Sequence, residues 1–257
     1  MRFVIIAAPR TGSTHLTSLL NEQKDIACHG EIFHPKKVFV RWPREQKSQD
    51  IMEKLMQLRE RSAQEFLDYI CANSGAYRHV GFKIFSGHND RFLETLISDD
   101  SIRKIVLWRS NLLASYSSSL IARGTFGRKP SKPPEPRQVR FDAARFVAYG
   151  ERHCAFYRSM FERLNAANQV FFTVHYEQIN DPWLFASLVS FIGGNPENLV
   201  ARSRREKLNT SAILSRFTNP ADVTEFLRIH DLNGWEYESP ISLDPFQIQK
   251  GDQGTGD

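Results

Sequence analysis

The sequence is short of cysteine and of long apolar runs, and both shortages narrow its class. Its 257 residues contain three cysteines, Cys28, Cys71 and Cys154. Odd in number and far apart, they make neither a disulfide framework nor a clustered zinc site, so a reduced, cytoplasmic protein without a metal is expected. No apolar run approaches the ~20 residues that a membrane helix needs. The stretch at 3–8 is too short for a signal-peptide core and runs straight into Pro9-Arg10. The chain is therefore expected to be neither secreted nor membrane-spanning, with peripheral membrane contact still open. Internal repeats are lacking, as is any marked domain boundary. Residues 1–249 read as one domain, and the Gly-rich, polar stretch 250–257 as a disordered tail.

Hydrophobic residues at 41% and charged residues at 25% are ordinary for a globular protein with a sizeable core. The formal net charge is +5, and it is concentrated. Residues 120–140 hold Arg123, Arg128, Lys129, Lys132, Arg137 and Arg140 against one acid, Glu135, which equals the excess of the entire chain. Four prolines in the same stretch favour extended backbone. It reads equally as a solvated loop or as a basic flap over an anionic ligand.

Apolar, β-branched runs at 2–8, 79–85, 102–108 and 170–175 read as buried strands. Helical spacing occupies 15–23, 49–72, 91–97, 111–122, 141–168 and 183–192. This alternation predicts an α/β fold with a mostly parallel sheet flanked by helices.

Between the first strand and its helix lies Ala8-Pro9-Arg10-Thr11-Gly12-Ser13-Thr14. Amides at a helix N-terminus make an anion site, Gly12 permits close approach, and Ser13 and Thr14 add hydroxyls. Ser13 stands where the triphosphate loop GxxxxGK[ST] requires lysine, and the cation is instead Arg10. Strand 102–108 runs into Arg109, with Ser117 eight positions on. Residues just past parallel-strand C-termini face the ligand crevice, so Arg109 points to the same edge as the loop. Two separated phosphate-type groups are implied. Lys83 interrupts an apolar strand, where a lysine is costly unless paired or turned to a polar ligand.

These motifs together, PRTGST, Gly30-Glu31 and R-x7-S at Arg109–Ser117, resemble those of the sulfotransferases that use PAPS (3′-phosphoadenosine 5′-phosphosulfate). The likeness is nearest to bacterial carbohydrate sulfotransferases of the nodulation-factor and trehalose type. It implies a P-loop-like three-layer fold and a carbohydrate or glycolipid hydroxyl as acceptor, with no nucleic-acid partner. It also implies that Arg10, Thr11, Gly12, Ser13 and Thr14 hold the 5′-phosphosulfate, and that Arg109 and Ser117 hold the 3′-phosphate. By the same likeness Tyr176, in Val174-His175-Tyr176-Glu177, contacts adenine, and Lys207, in Arg205–Thr210, approaches the 3′-phosphate side.

Sulfuryl transfer needs charge stabilisation, expected from Arg10 and Lys83, and a base for the acceptor hydroxyl. Glu31 is the expected base, with apolar sequence neighbours that would raise its pKa. His34 and His88 compete for that role. Phe33, Trp42, Phe126 and Trp235 are candidate aromatic platforms for a sugar. Two other classes share parts of the pattern: a P-loop nucleotide kinase or ATPase, with Glu177 as a carboxylate after a strand, and a non-catalytic anion or nucleic-acid binder using the basic segment.

Overall fold

Strand β1 (Arg2–Ala7) alternates its side chains between two apolar layers, and the rest of the fold is arranged around that division. A computed structural model describes residues 1–125, 137–200 and 212–238. Its elements follow as α1 (Ser13–Asn21), β2 (Ile26–Cys28), α2 (Gln49–Arg61), α3 (Ala63–Ala72), β3 (His79–Phe85), α4 (Asp90–Ser98), β4 (Ile102–Trp108), α5 (Leu112–Thr125), α6 (Ala143–Ala166), β5 (Phe171–His175), α7 (Pro182–Phe191) and α8 (Pro220–Ile229). The five strands form one sheet in the order β2-β3-β1-β4-β5, every pairing parallel. Val4 and Ile6 join Phe66, Leu93, Met160 and others from α2, α3, α4 and α6 on one face. Phe3, Ile5 and Ala7 join Leu16, Leu19, Phe185 and Leu188 from α1 and α7 on the other. A third cluster, with Leu113, Phe146, Val223 and Trp235, packs α5, the start of α6 and α8 together. The sequence-based expectation of a three-layer α/β fold with helices on both faces of a parallel sheet is met.

Three local readings change. The segment 49–72 is two helices, because Ser62 is extended (φ −152°, ψ 106°) and its hydroxyl accepts from the Glu65 amide at 3.2 Å. Ser62 and Glu65 have the spacing of a capping box, a helix-start signal inside an otherwise helical pattern. The first helix begins at Ser13, which puts Ser13 and Thr14 in its first turn. Of the basic segment, 120–125 is the end of α5. Residues 126–136, with Phe126, and the segments bearing Lys207 and 250–257 lie outside the described residues. Strand β2 and helix α8 were not legible in the periodicity, β2 being three residues long. Among the described residues, no helix is long and apolar enough to cross a membrane.

One hydroxyl ties the carboxyl ends of the central strands together. Tyr157 of α6, fully buried, accepts from the Ala8 amide at 2.9 Å and donates to the Leu107 carbonyl at 2.6 Å. Phenylalanine at 157 keeps the packing but strands both groups. A loss of about 1–3 kcal/mol is expected, read as a lower urea midpoint at unchanged slope.

Four histidines are held neutral by burial. His29, His88, His153 and His175 each fall from the usual 6.5 to about 4, burial being the largest cause at every one. His29 shows how the neutral form is used: Nδ1 accepts from the Arg41 amide at 2.9 Å, while Nε2 faces the Ser74 hydroxyl at 2.8 Å. Above pH 6.5 these imidazoles are neutral whether the chain is folded or not. Between 6.5 and about 4 the unfolded chain takes up protons that the folded chain refuses, so stability falls as pH falls through that window. Denaturant midpoints measured at pH 7.5 and pH 5 should show the loss at the lower pH.

Candidate active site

All five strands end on the same edge, and the polar groups singled out from the sequence collect there. In the loop after β1, the Thr11 hydroxyl donates to the Ala8 carbonyl at 2.8 Å. Gly12 is left-handed (φ +85°), and a Cβ there would lie 2.4 Å from the ring of Tyr176, so only glycine fits. Arg10 is also left-handed (φ +70°), a conformation that costs a non-glycine residue about 1–3 kcal/mol and is held by the surrounding contacts. Helix α1 starts with neither a side-chain cap nor an acid in its first turn. Its positive end is therefore left for an external anion. Arg10 Nε donates to Ser118 Oγ at 2.9 Å. The residue as a whole is exposed, but its guanidinium is partly enclosed, and that burial followed by the like charge of Arg109 lowers its pKa.

A second group surrounds Glu31. Strand β2 and the buried His29 bring it to the edge just beyond the sheet. Its sequence neighbours Ile32 and Phe33 turn into the core, so the carboxylate faces Lys83 and His88 rather than apolar side chains. Lys83 Nζ lies 3.1 Å from Glu31 Oε1 and donates to Thr14 Oγ1 at 2.9 Å. Lys83 is thus buried in β3 but doubly paired, and it links the loop to Glu31. His88 Nε2 stands 3.8 Å from Glu31 Oε2, and its Nδ1 accepts from the Phe85 amide at 3.3 Å. That bond puts the single proton of the neutral ring on the side facing Glu31. The rings of His34 and His88 are 5.5 Å apart. Arg59 of α2, buried, holds the loop after Glu31 by donating to the carbonyls of Ile32, His34, Pro35 and Lys37 at 2.7–3.3 Å. A cavity of about 230 Å³ adjoins, lined by Phe33, Pro35, Arg59, Glu60, His88 and Asn89.

A third group lies beyond β4. Arg109, buried, donates through Nη1 to the Arg10 carbonyl at 3.2 Å, and its guanidinium stacks 4.0 Å over the ring of Tyr176. Its Nη2 pairs with Glu238, and the other oxygen of Glu238 pairs with Arg216 Nη2. Arg216 Nη1 lies 3.3 Å from Ser117 Oγ. Arg109 Nε is buried without a hydrogen-bond partner. The Glu177 carboxylate lies nearby. Burial raises its pKa and Arg109 opposes that rise.

The structure therefore brings together Arg10, Thr11, Gly12, Ser13, Thr14, Glu31, Lys83, Arg109, Ser117 and Tyr176. Phe33, Trp42 and Trp235 are core residues, exposed by 8% or less, and are not open platforms. Sequence reasoning missed Arg59, Ser118, Arg216 and Glu238. None stands at a strand end or in a motif, and only contacts distant in the chain reveal them.

Over 248 residues the chain is 27% identical to Nodulation protein H of Rhizobium meliloti (strain 1021), an alignment that covers 90% of this chain and 92% of that protein. A relative of the rhizobial nodulation type is what the motif set implied, and here it extends over nearly the full length of both chains. No protein-family model matches this chain. Among solved structures it is similar to a sulfotransferase from Alicyclobacillus acidocaldarius, at 14% identity and a TM-score of 0.45, covering 91% of this chain and 97% of that one. It is also similar to the sulfotransferase domain of the Synechococcus PCC 7002 olefin synthase, at 14% identity and a TM-score of 0.39, covering 100% and 95%. These overall scores are low, and the site geometry stands on this chain alone.

Two strand lysines separate the candidate site from the scaffold. Lys104 in β4 is fully buried, but its ammonium reaches the opposite end of the sheet and is capped by the Asp99 carbonyl and Gln169. Lys83→Met should lower turnover by about 100-fold or more with a modest change in nucleotide affinity, the scale of losing one preorganised charge contact. Lys104→Met should lower the urea midpoint and leave turnover per folded molecule unchanged.

Proposed function

We propose that this chain is a sulfotransferase that moves the sulfuryl group of PAPS to a hydroxyl of a carbohydrate or glycolipid acceptor, with Glu31 as the base. The observation that carries the reading is the continuous chain Thr14–Lys83–Glu31, which joins the anion-binding loop to a carboxylate within one side chain's reach. Bound PAPS would supply an activated sulfuryl group, whose bond to the leaving phosphate breaks as the acceptor oxygen attacks. The residues present suit such a donor: an uncapped helix start behind a glycine that no side chain can replace, and a buried arginine with an unpaired Nε.

Thr11, Gly12, Ser13 and Thr14 hold the 5′ end through amides and hydroxyls. Arg10 and Lys83 stabilise charge on the transferring group and the leaving oxygen, so the reading calls for no metal. A guanidinium stays protonated at neutral pH, which limits Arg10 to electrostatic work. Glu31 takes the acceptor proton, and Lys83 at 3.1 Å keeps its carboxylate in place. His88 orients Glu31 from the other side, its own proton already turned toward that carboxylate. Arg109 and Ser117 bind the 3′-phosphate, Tyr176 supports Arg109 and the adenine side, and Lys207 is assigned to the same end by resemblance. The polar lining of the cavity beside His88 suits a hydroxyl-rich acceptor. Three cysteines outside any disulfide support a cytoplasmic setting.

Calorimetric titration with 3′-phosphoadenosine 5′-phosphate, beside ATP with magnesium, tests the donor class. Tight, magnesium-independent binding of the bisphosphate with weak ATP binding is expected. Magnesium-dependent ATP binding with a silent bisphosphate would replace this reading with a kinase. Glu31→Gln should abolish transfer and leave bisphosphate binding intact, whereas Arg10→Ala should lose both. Near-normal turnover in Glu31→Gln would move the base to His34 or His88.

A further inference from the structure

Arg109, expected to grip a phosphate, is paired with an anion that the protein itself supplies, and Ser117 meets the same cluster through Arg216. Glu238 spans Arg109 and Arg216 with its two carboxylate oxygens, and the three side chains are exposed by only 5%, 3% and 8% for Arg109, Arg216 and Glu238. Arg216 extends the cluster to Ser117 Oγ at 3.3 Å and the Ala114 carbonyl at 3.5 Å. The carboxylate is delivered by a short paired segment. The Ile213 amide donates to the Glu236 carbonyl at 2.9 Å, and Asn111 Nδ2 donates to the carbonyls of Trp235 and Tyr237 at 3.0 and 2.7 Å. That anchoring fixes the backbone up to Tyr237, whose side chain is 58% exposed, and Glu238 follows it directly.

Two buried guanidiniums with no anion between them would be strongly unfavourable, so the pair needs a negative group at all times. A single carboxylate brings one negative charge to a cluster in which the Arg10 guanidinium also lies close to Arg109, with the Glu177 carboxylate nearby. A phosphate dianion brings more charge and more acceptor oxygens, and the unpaired Nε of Arg109 remains for one of them.

We propose that Glu238 is an internal stand-in for the ligand's second phosphate: it occupies the Arg109–Arg216 pair when the nucleotide is absent and swings out when that phosphate arrives. Arg216 then becomes a phosphate ligand beside Arg109. The exchange rests on the proposed 3′-phosphorylated nucleotide. It selects for that class, because a nucleotide without a second phosphate brings no anion to replace Glu238 and cannot open the pair.

The test compares wild type with Glu238→Gln in calorimetric titrations of 3′-phosphoadenosine 5′-phosphate, of 5′-AMP and of inorganic phosphate. If Glu238 fills the pair about nine-tenths of the time, its removal should tighten bisphosphate binding about tenfold and leave 5′-AMP unchanged within about twofold. Inorganic phosphate should bind Glu238→Gln and not wild type. Equal or weaker bisphosphate binding by Glu238→Gln, with no uptake of inorganic phosphate, overturns the proposal. Uptake of inorganic phosphate by Glu238→Gln alone, with the bisphosphate silent in both proteins, supports the exchange and overturns the nucleotide reading instead. Should Glu238→Gln fail to fold, Glu238→Asp keeps the charge but withdraws it from one arginine. A smaller gain in bisphosphate affinity is expected there, and no gain overturns the proposal.

Discussion

Positive charge gathered at the carboxyl edge of a parallel sheet is the constraint that orders this molecule. Arg10, Lys83, Arg109 and Arg216 arrive from four separate stretches of chain, and three of them are buried side chains. Burial of a cation is tolerable only with a partner of opposite charge or a dense set of acceptors. The chain meets that demand locally: Glu31 and Thr14 for Lys83, Glu238 for Arg109 and Arg216, Ser118 for Arg10. Each of these partners is also a group that chemistry or binding can use. The same pairings that keep the protein folded without its ligands therefore set the positions at which ligands are met.

The two ends of the site differ in how they are built. Around Glu31 the supports are rigid and numerous: a strand lysine, the half-buried His88, and an arginine gripping four carbonyls of the following loop. A proton-accepting carboxylate gains from such fixing, since reaction rate depends on its placement. Around Arg109 the charges are paired to an exchangeable anion, which suits binding and release. Tyr176 and Gly12 lie between the two ends, the ring filling the space that a side chain at position 12 would need.

Much of the fold was legible because β1, β3 and β4 are continuous apolar runs, the mark of strands covered on both faces. The loop, Glu31, Lys83, Arg109 and Ser117 were legible because each stands at a strand end, in a motif, or as a charge out of place. Lys104 shows the limit of that last signal, being as anomalous in sequence as Lys83 but occupied at the opposite end of the sheet. Strand β2 escaped notice because three residues show no period, although it is β2 that carries Glu31 to the edge. The break at Ser62 was hidden by the helical spacing on either side of it. Arg59, Arg216 and Glu238 act across 22 to 129 positions of chain, where no local pattern reaches.

The long reach of these contacts bears on how the protein comes into being. The loop after β1 is synthesised well before its support, since its Ala8 amide is satisfied by a hydroxyl 149 residues later. Arg109 finds its carboxylate 129 residues further on. Closing such distant pairs costs chain entropy that is recovered only when both partners exist and the layers between them have packed. A nascent chain halted before α6 thus carries every residue of the glycine loop but lacks the hydroxyl that ties it to β4, and one halted before residue 216 still lacks the second arginine. The support of the glycine loop is completed by residues far downstream of it, as a property of the packed layers rather than of the motif alone.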